Sequence, residues 1–567
     1  VKKTFLHSLW PALSALLLCW AFPRFHFYPL GWIALVPLLA YTREGTIKKT
    51  LLAFFICGWL FHTLLLQWLW ANMFWAGGWA VFGQQLLCFI LSLFWLLPAV
   101  AWHYFRASQE RYTAALGLAC LWVGMELLQA RLFTGFGWAA LGYSQGADLA
   151  LAQLASLGGV SLISFALVFV NGLIALAWSG KKHRWWRVAL VPLFIALLHL
   201  GGFFMLQEAD YESQPFNAGI IQPNFSQEMK WDSEYYTEML QKTGILTQSL
   251  AAHKAVDLVV WPEAVVTVDY KIPLFHNALS DIAVAAESYI FTGAVREDST
   301  TGKSYNSSVL FTPEGREAGY YDKMRLAAFG EYIPFESYLP FIGRIAFSGI
   351  SPGEEQKIFS VKDRKLAPLI CFEVLFGSMA EELRQKGADI LVVVTNLAWF
   401  GNTSAIPQEL EIARMRAIET GLPLLHSANT GVSGTFDPYG RFYTVHHTVD
   451  PRGALLDWTE KTKPNQVVMR RFVDAFPVAA PARRLLPMGP ALLPWFLFAL
   501  GILLALWTVF KNSALFAELE GVEEKEPAKP RKKAAAKKAA AKKAAKAPAK
   551  EKTAAKKKST AKKSEDK

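Results

Sequence analysis

Leu366-Ala367-Pro368-Leu369-Ile370-Cys371-Phe372-Glu373 is an apolar run of strand length that ends in a thiol and then a carboxylate. A short, mostly apolar run bounded by a proline and a charge reads as a buried strand. A thiol at the end of such a strand stands at the top of a sheet, where layered α/β folds bind their ligands. The same cysteine also suits a plain role as a small buried hydrophobe. Both readings stand on this stretch alone.

Around it, residues 216–478 have the texture of a soluble domain. Strands are expected at 217–222, 257–261, 289–294, 307–311, 357–359, 364–370, 389–396, 423–427 and 434–437, with helices at 233–253, 378–387 and 405–420. Strands and helices alternating in this way predict a layered α/β domain with buried sheets.

The rest of the chain is far more apolar. Of 567 residues, 53% are hydrophobic and 18% charged, with 21 Trp and 40 Phe, which points to a membrane component. Apolar runs of spanning character cover 4–22, 28–41, 51–70, 79–104, 114–130, 154–178, 188–206 and 490–510, the second of them short. The first run is too long for a cleaved leader and reads as an anchor. Lys2 and Lys3, then Arg43, Lys48 and Lys49, then Arg106 and Arg111, then Lys181, Lys182, Arg184 and Arg187 all fall on one side of such a bundle. By the positive-inside rule that side is cytoplasmic, so the domain after residue 207 is extracytoplasmic and the eighth span returns the chain inward. Glu126 and Arg131 flank the fifth run and read either as a lipid or substrate site or as a structural ion pair.

The formal net charge of +12 belongs to the tail: residues 521–567 carry about 18 Lys/Arg against about 6 Asp/Glu. That Lys/Ala-rich block is expected to be disordered, with anionic lipid headgroups or nucleic acid as its candidate partners, or no specific partner. Four of the five cysteines lie in apolar runs, which leaves Cys371 without a disulfide partner in the soluble domain. No His and Cys spacing of a metal site occurs.

Three expected strand ends carry reactive groups. Trp261-Pro262-Glu263 offers a carboxylate, Tyr321-Asp322-Lys323 a lysine shortly before Phe329-Gly330-Glu331, and Cys371 a thiol. Singly, Glu263 suits an exposed loop and Lys323 a solvated surface. Together the three can run acyl transfer. The thiolate attacks a carbonyl, the carboxylate takes and returns the proton, and the lysine with a backbone N–H holds the oxyanion.

The order Trp-Pro-Glu, then Lys with Phe-Gly-Glu, then Cys-x-Glu resembles the nitrilase, or carbon–nitrogen hydrolase, superfamily. With the spans around it, the chain over about residues 1–510 resembles the apolipoprotein N-acyltransferase family. The resemblance implies a polytopic α-helical membrane bundle of about eight spans carrying an α/β nitrilase-like αββα sandwich. The expected division is 1–206 bundle, 207–486 catalytic domain, 487–510 last span and 511–567 tail. It implies Glu263 as general base, Lys323 as oxyanion stabiliser and Cys371 as nucleophile, supported by Glu331, Glu373, Trp231 and Phe372, with no cofactor. Gln222, Gln227 and Gly142-Tyr143-Ser144-Gln145 also fit family motifs.

Three positions depart from the family pattern: Phe372 replaces a tyrosine, Leu397 an aspartate, and Ala328 a proline. The implied reaction takes an acyl chain from a phospholipid onto Cys371. It then passes the chain to the α-amino group of an S-diacylglyceryl cysteine on an apolipoprotein, at a bacterial inner membrane. The alternatives are a membrane-anchored amidase acting on a small amide and a non-catalytic scaffold.

Overall fold

The computed structural model describes residues 9–73, 77–106, 111–178, 185–206, 216–328, 330–332, 349–444 and 471–511. One compact unit runs to Thr508 and a second begins at Val509. Lys2, Lys3, Lys181, Lys182, Arg184, Phe329 and the tail beyond Lys511 lie outside the described residues.

The N-terminal part is helical: α1 (Trp10–Ala21), a 3-10 turn (Tyr28–Trp32), α2 (Val36–Thr42), α3 (Ile47–Leu65), α4 (Trp79–Phe94), α5 (Leu96–Phe105), α6 (Arg111–Gln129), α7 (Leu149–Ala152), α8 (Ala155–Trp178) and α9 (Trp185–Met205). The expected second run, 28–41, is not one helix. Pro29 and Gly31 fall in the 3-10 turn and Pro37 in the first turn of α2, and these residues end and restart the helix. α8 is also broken, at Gly158 and Gly159, the latter with φ +67°.

The soluble part contains α10 (Gln227–Trp231), α11 (Tyr236–His253), α12 (Pro273–Ala286), α13 (Gly377–Gln385) and α14 (Ala405–Thr420), and the chain returns to an apolar helix, α15 (Gly489–Lys511). Among the described residues five segments are long and apolar enough to cross a membrane: Ile47–Leu65, Trp79–Phe105, Tyr112–Gln129, Ala155–Ala177 and Gly489–Lys511. Three shorter apolar helical stretches, Trp10–Ala21, Tyr28–Thr42 and Ala189–Met205, occupy the places of the other expected runs. α15 packs close to α6 because Gly124 has no side chain: a Cβ there would stand 2.1 Å from the Phe498 ring.

Thirteen strands form two sheets among the described residues: β1 (Asn217–Gln222), β2 (Leu258–Val260), β3 (Val266–Asp269), β4 (Tyr289–Asp298), β5 (Lys303–Phe311), β6 (Glu317–Asp322), β7 (Phe359–Val361), β8 (Arg364–Ile370), β9 (Ile390–Thr395), β10 (Leu424–Ala428), β11 (Gly434–Phe436), β12 (Phe442–Thr444) and β13 (Phe472–Pro477). One sheet has the order β13-β1-β2-β4-β5-β6 with β3 on β4, and the other β12-β11-β10-β9-β8-β7. β8, β9 and β10 run parallel, Leu366 facing Ile390 and Ile370 facing Val394.

Alternation along β8 explains the layering. Leu366 and Ile370 enter a core between the sheets with Val260, Phe291 and Val392. Ala367 and Leu369 point the other way, into a core with Leu383 of α13 and Met415 of α14. α11 and α12 cover the outer face of the first sheet through Leu250 and Leu279. The result is an αββα sandwich. The core outside β8 is continuous with the bundle, for it also holds Phe61, Trp95 and Trp122.

The join between the two parts is polar as well as apolar. Gln408 of α14 accepts from the indole N–H of both Trp68 (3.0 Å) and Trp138 (2.7 Å). Arg416 donates to the Tyr143 hydroxyl at 2.9 Å, and Glu419 accepts from Val160 N–H at 2.7 Å, just past the break in α8. Gly142-Tyr143-Ser144-Gln145 is therefore a junction: Gly142 N–H donates to Ser164 Oγ and Gln145 Nε2 to the Tyr28 carbonyl, both at 2.9 Å.

Candidate active site

β8 delivers Cys371 to the top of its sheet, where the chain turns into a 3-10 helix, Cys371–Leu375. Cys371 has φ +51°, a left-handed conformation that costs a non-glycine residue about 1–2 kcal/mol. Glu373 holds the turn. Its Oε2 accepts from Ile370 N–H at 2.8 Å, and its Oε1 from the Tyr321 hydroxyl and Met324 N–H at 2.8 Å and from Arg325 N–H at 3.0 Å. One buried carboxylate thus joins the thiol-bearing turn to the segment after β6. Burial raises its pKa above the usual carboxylate range, against the pull of those donors.

β6 ends in Asp322, and Lys323 follows, fixed by its N–H to the Asn306 carbonyl at 2.8 Å. Its ammonium is buried between two carboxylates, 2.9 Å from Glu331 Oε2 and 3.3 Å from Glu263 Oε1. Burial works to lower the lysine pKa, but the charges of Glu331 and Glu263 outweigh it, so the group is held firmly charged. Asn306 of β5 donates from Nδ2 to Glu263 Oε1 and to Glu331 Oε1, each at 2.8 Å.

Glu263 follows β2 in a tight turn whose next residue, Ala264, has φ +50°. Gly293 N–H donates to the Pro262 carbonyl at 3.2 Å, and a Cβ on Gly293 would lie 2.5 Å from Glu263 Cα. β4 therefore presses on the turn that aims the carboxylate.

Cys371 is half-buried and lies within electrostatic reach of both charges. Burial and then Glu263 raise the thiol pKa, while Lys323 lowers it, and the rise prevails. The resting group is a thiol beside a carboxylate that can take its proton, and a cation that can hold the negative charge formed on attack.

The expected Glu263, Lys323, Glu331, Glu373 and Cys371 thus converge. Trp231 does not join the buried cluster: the residue is 42% exposed at the end of α10. The neighbouring Lys230 is the inward residue, donating from Nζ to the Glu263 carbonyl at 2.8 Å. Phe372 faces the bundle instead, with its ring 6.4 Å from Phe136 and 5.5 Å from Phe376. Leu397 is buried in an apolar cluster with Ile406 and Val432, a setting that penalises an acid by desolvation. Gln227 accepts from Asn396 Nδ2 at 3.0 Å, behind the site.

Glu126 and Arg131 do not pair with each other. Glu126 Oε1 accepts from Trp122 Nε1 (3.0 Å) and Leu141 N–H (2.9 Å), and Arg131 lies 5.0 Å over the Trp495 ring. Asn306 and Lys230 were not anticipated. Asn306 lies in the middle of a strand with no motif around it, whereas Lys230 adjoins the expected Trp231.

Residues 14–173 match the family model described as apolipoprotein N-acyltransferase N-terminal domain, and residues 217–462 the one described as carbon-nitrogen hydrolase. An apolipoprotein N-acyltransferase of Geobacter metallireducens is 31% identical over 446 residues, covering 76% of this chain and 85% of that protein. One of Chlorobaculum tepidum is 30% identical over 473 residues, covering 76% and 87%. Among solved structures, Saccharomyces cerevisiae Nit3, of the nitrilase superfamily, aligns at 17% identity with a TM-score of 0.33, over 47% of this chain and 92% of that one. An amidase from Nesterenkonia sp. aligns at 18% and 0.33, over 48% and 92%.

Proposed function

This chain belongs to the apolipoprotein N-acyltransferase family, and from that premise we propose that it moves an acyl chain from a phospholipid to the α-amino group of an S-diacylglyceryl cysteine on an apolipoprotein. The observation that carries the reading is the position of Lys323: a buried cation between Glu263 and Glu331 beside a half-buried thiol whose turn packs against the bundle.

The reaction has two halves. Glu263 takes the Cys371 proton as the sulfur attacks the phospholipid ester carbonyl. Lys323 and the Phe372 N–H hold the oxyanion; donors of this kind contribute about 10²–10³-fold each. The C–O bond breaks, the leaving alkoxide takes the proton back from Glu263, and a lysophospholipid departs from the thioester. The acceptor amine then attacks that carbonyl and gives its proton to Glu263. The C–S bond breaks, and the thiolate recovers the proton. Phe372 replaces a hydroxyl-bearing residue but keeps its N–H, so the oxyanion role needs only the main chain.

In this reading the bundle is residues 1–206, the catalytic domain 207–486, the last span 487–510 and the tail 511–567. The membrane is crossed about eight times, counting the three shorter apolar stretches. The loop charges support a catalytic domain on the extracytoplasmic face, with the tail near anionic lipid in the cytoplasm. A lipid substrate explains why the outer face of the thiol-bearing sheet shares its core with the bundle. An amidase acting on a small soluble amide has no such need.

The discriminating experiment supplies purified protein with a phospholipid labelled in its acyl chain and a diacylglyceryl peptide with a free N-terminus. Label appearing in amide linkage on the peptide supports acyl transfer. Hydrolysis of a small amide without label transfer supports the amidase.

A further inference from the structure

Lys230 is the most unusual charge near the site. It lies one residue from the end of α10, a short helix opened by Ser226, and it is completely buried. A buried ammonium normally has a carboxylate beside it or several acceptors. Among the described residues no carboxylate comes within ion-pair distance of Lys230, and the one hydrogen bond of its side chain goes to the Glu263 main-chain carbonyl. Lys323, by contrast, has two carboxylates.

Glu263 is therefore held from two sides. Its side chain meets Lys323 and Asn306, and its main chain meets Lys230. The turn between them is strained at Ala264 and pressed by Gly293. Lys230 is the group that anchors the carbonyl of that turn. The ionisable groups that face it are Glu263, from the turn after β2, and Cys371, from the end of β8, while Glu409 of α14 in turn faces Cys371.

We propose that Lys230 is a positioning residue for the acyl-transfer reaction, holding Glu263 in line with Cys371 through its main-chain carbonyl. The proposal rests on the reading of Cys371 as the nucleophile. Burial lowers the Lys230 pKa to about 7, against the raising influence of Glu263 and Cys371. A neutral amine still donates to the carbonyl. When it takes up a proton at acid pH, the added positive charge beside Glu263 weakens that carboxylate as a base, and proton transfer from the thiol slows.

The test is the single-turnover rate of acyl-adduct formation on Cys371 in the full chain, from labelled phospholipid, across pH 5.5 to 9 (a range spanning about 7). Lys230→Met keeps the length and removes the amine. It should lower the rate about 10²-fold, the size of effect that a small misplacement of a reacting group produces. The phospholipid KM should be little changed, and the acid limb near pH 7 should disappear. Lys230→Arg, which cannot lose its proton, should be slow at every pH.

A Lys230→Met protein with the wild-type rate overturns the proposal. So does a slow one that keeps the acid limb, because a merely structural lysine would behave that way. Alkylation of wild-type Cys371 by iodoacetamide reads the same charge without substrate or substitution. An inflection near pH 7 supports the proposal, and a single titration at the thiol's own raised pKa overturns it. Alkylation with the inflection but no acyl adduct would instead remove the acyl-transfer reading.

Discussion

Nζ of Lys323 stands closer to Glu331 (2.9 Å) than to Glu263 (3.3 Å). The two carboxylates therefore divide their work. Glu331 carries the main ion pair and, through Oε2, also accepts from Ala327 N–H at 2.8 Å. Glu263 is bound less closely and can exchange a proton with the thiol. Replacing Glu263 by Gln should leave Lys323 paired to Glu331 and the protein folded, yet slow acyl-adduct formation by about 10²–10⁴-fold. Adduct kinetics and a thermal melt of the variant check both halves.

Gly293 sets the aim of the same carboxylate from behind. A methyl group there would meet Glu263 Cα, Ala264 N and the Pro262 carbonyl at 2.5–2.6 Å, all of them backbone atoms with little room to yield. Gly293→Ala should destabilise the protein by about 1–3 kcal/mol and slow adduct formation as well. Full activity with an unchanged melting temperature would show that the turn is freer than the geometry indicates.

Glu373 is a support, and its loss should read as one. Glu373→Ala strands the donors of Ile370, Tyr321, Met324 and Arg325, at about 1–3 kcal/mol for each that finds no water. Because burial raises the carboxyl pKa, the folded protein holds that proton more tightly than the unfolded chain. This contribution to stability is present at acid pH and is lost as pH rises through the raised pKa. Melting temperatures across pH 4 to 8 (the range about and above the ordinary carboxylate pKa) should show that slope in the wild type and a smaller one in Glu373→Ala.

The membrane orientation is open to direct labelling. Thr300 is exposed at the tip of the β4–β5 hairpin, while Cys19, Cys57, Cys88 and Cys120 are buried. Thr300→Cys combined with Cys371→Ala should react with a membrane-impermeant maleimide once the outer face of the cytoplasmic membrane is accessible. Reaction only after that membrane is breached would place the domain in the cytoplasm.

Much of the chemistry was legible because it sits at strand ends. The apolar run into Cys371 and the Trp-Pro-Glu turn each end a buried parallel strand, a pattern that survives in sequence. β6 is legible only at its end, Tyr321-Asp322-Lys323, because Glu-Ala-Gly-Tyr-Tyr-Asp is polar and mostly half-buried, and β13 is hidden because it pairs with β1, some 250 residues earlier in the chain. Asn306 has a role only once β5 lies beside Lys323 and the turn of Glu263. Lys230 is hidden beside Trp231, the residue that the family resemblance implies. Tryptophan is expected to be the inward member of such a pair, but the short helix turns Trp231 outward and Lys230 in. The lysine three positions after Gln227 on one helical face was the available signal.

Cys371 is the residue on which acyl transfer depends. Full-length protein incubated with acyl-labelled phospholipid, without acceptor, should accumulate one hydroxylamine-sensitive acyl group on the peptide containing Cys371. Cys371→Ala, folded to the same melting temperature, should accumulate none. Label on another residue, or equal label on the Cys371→Ala protein, would contradict the assignment of this thiol as the nucleophile.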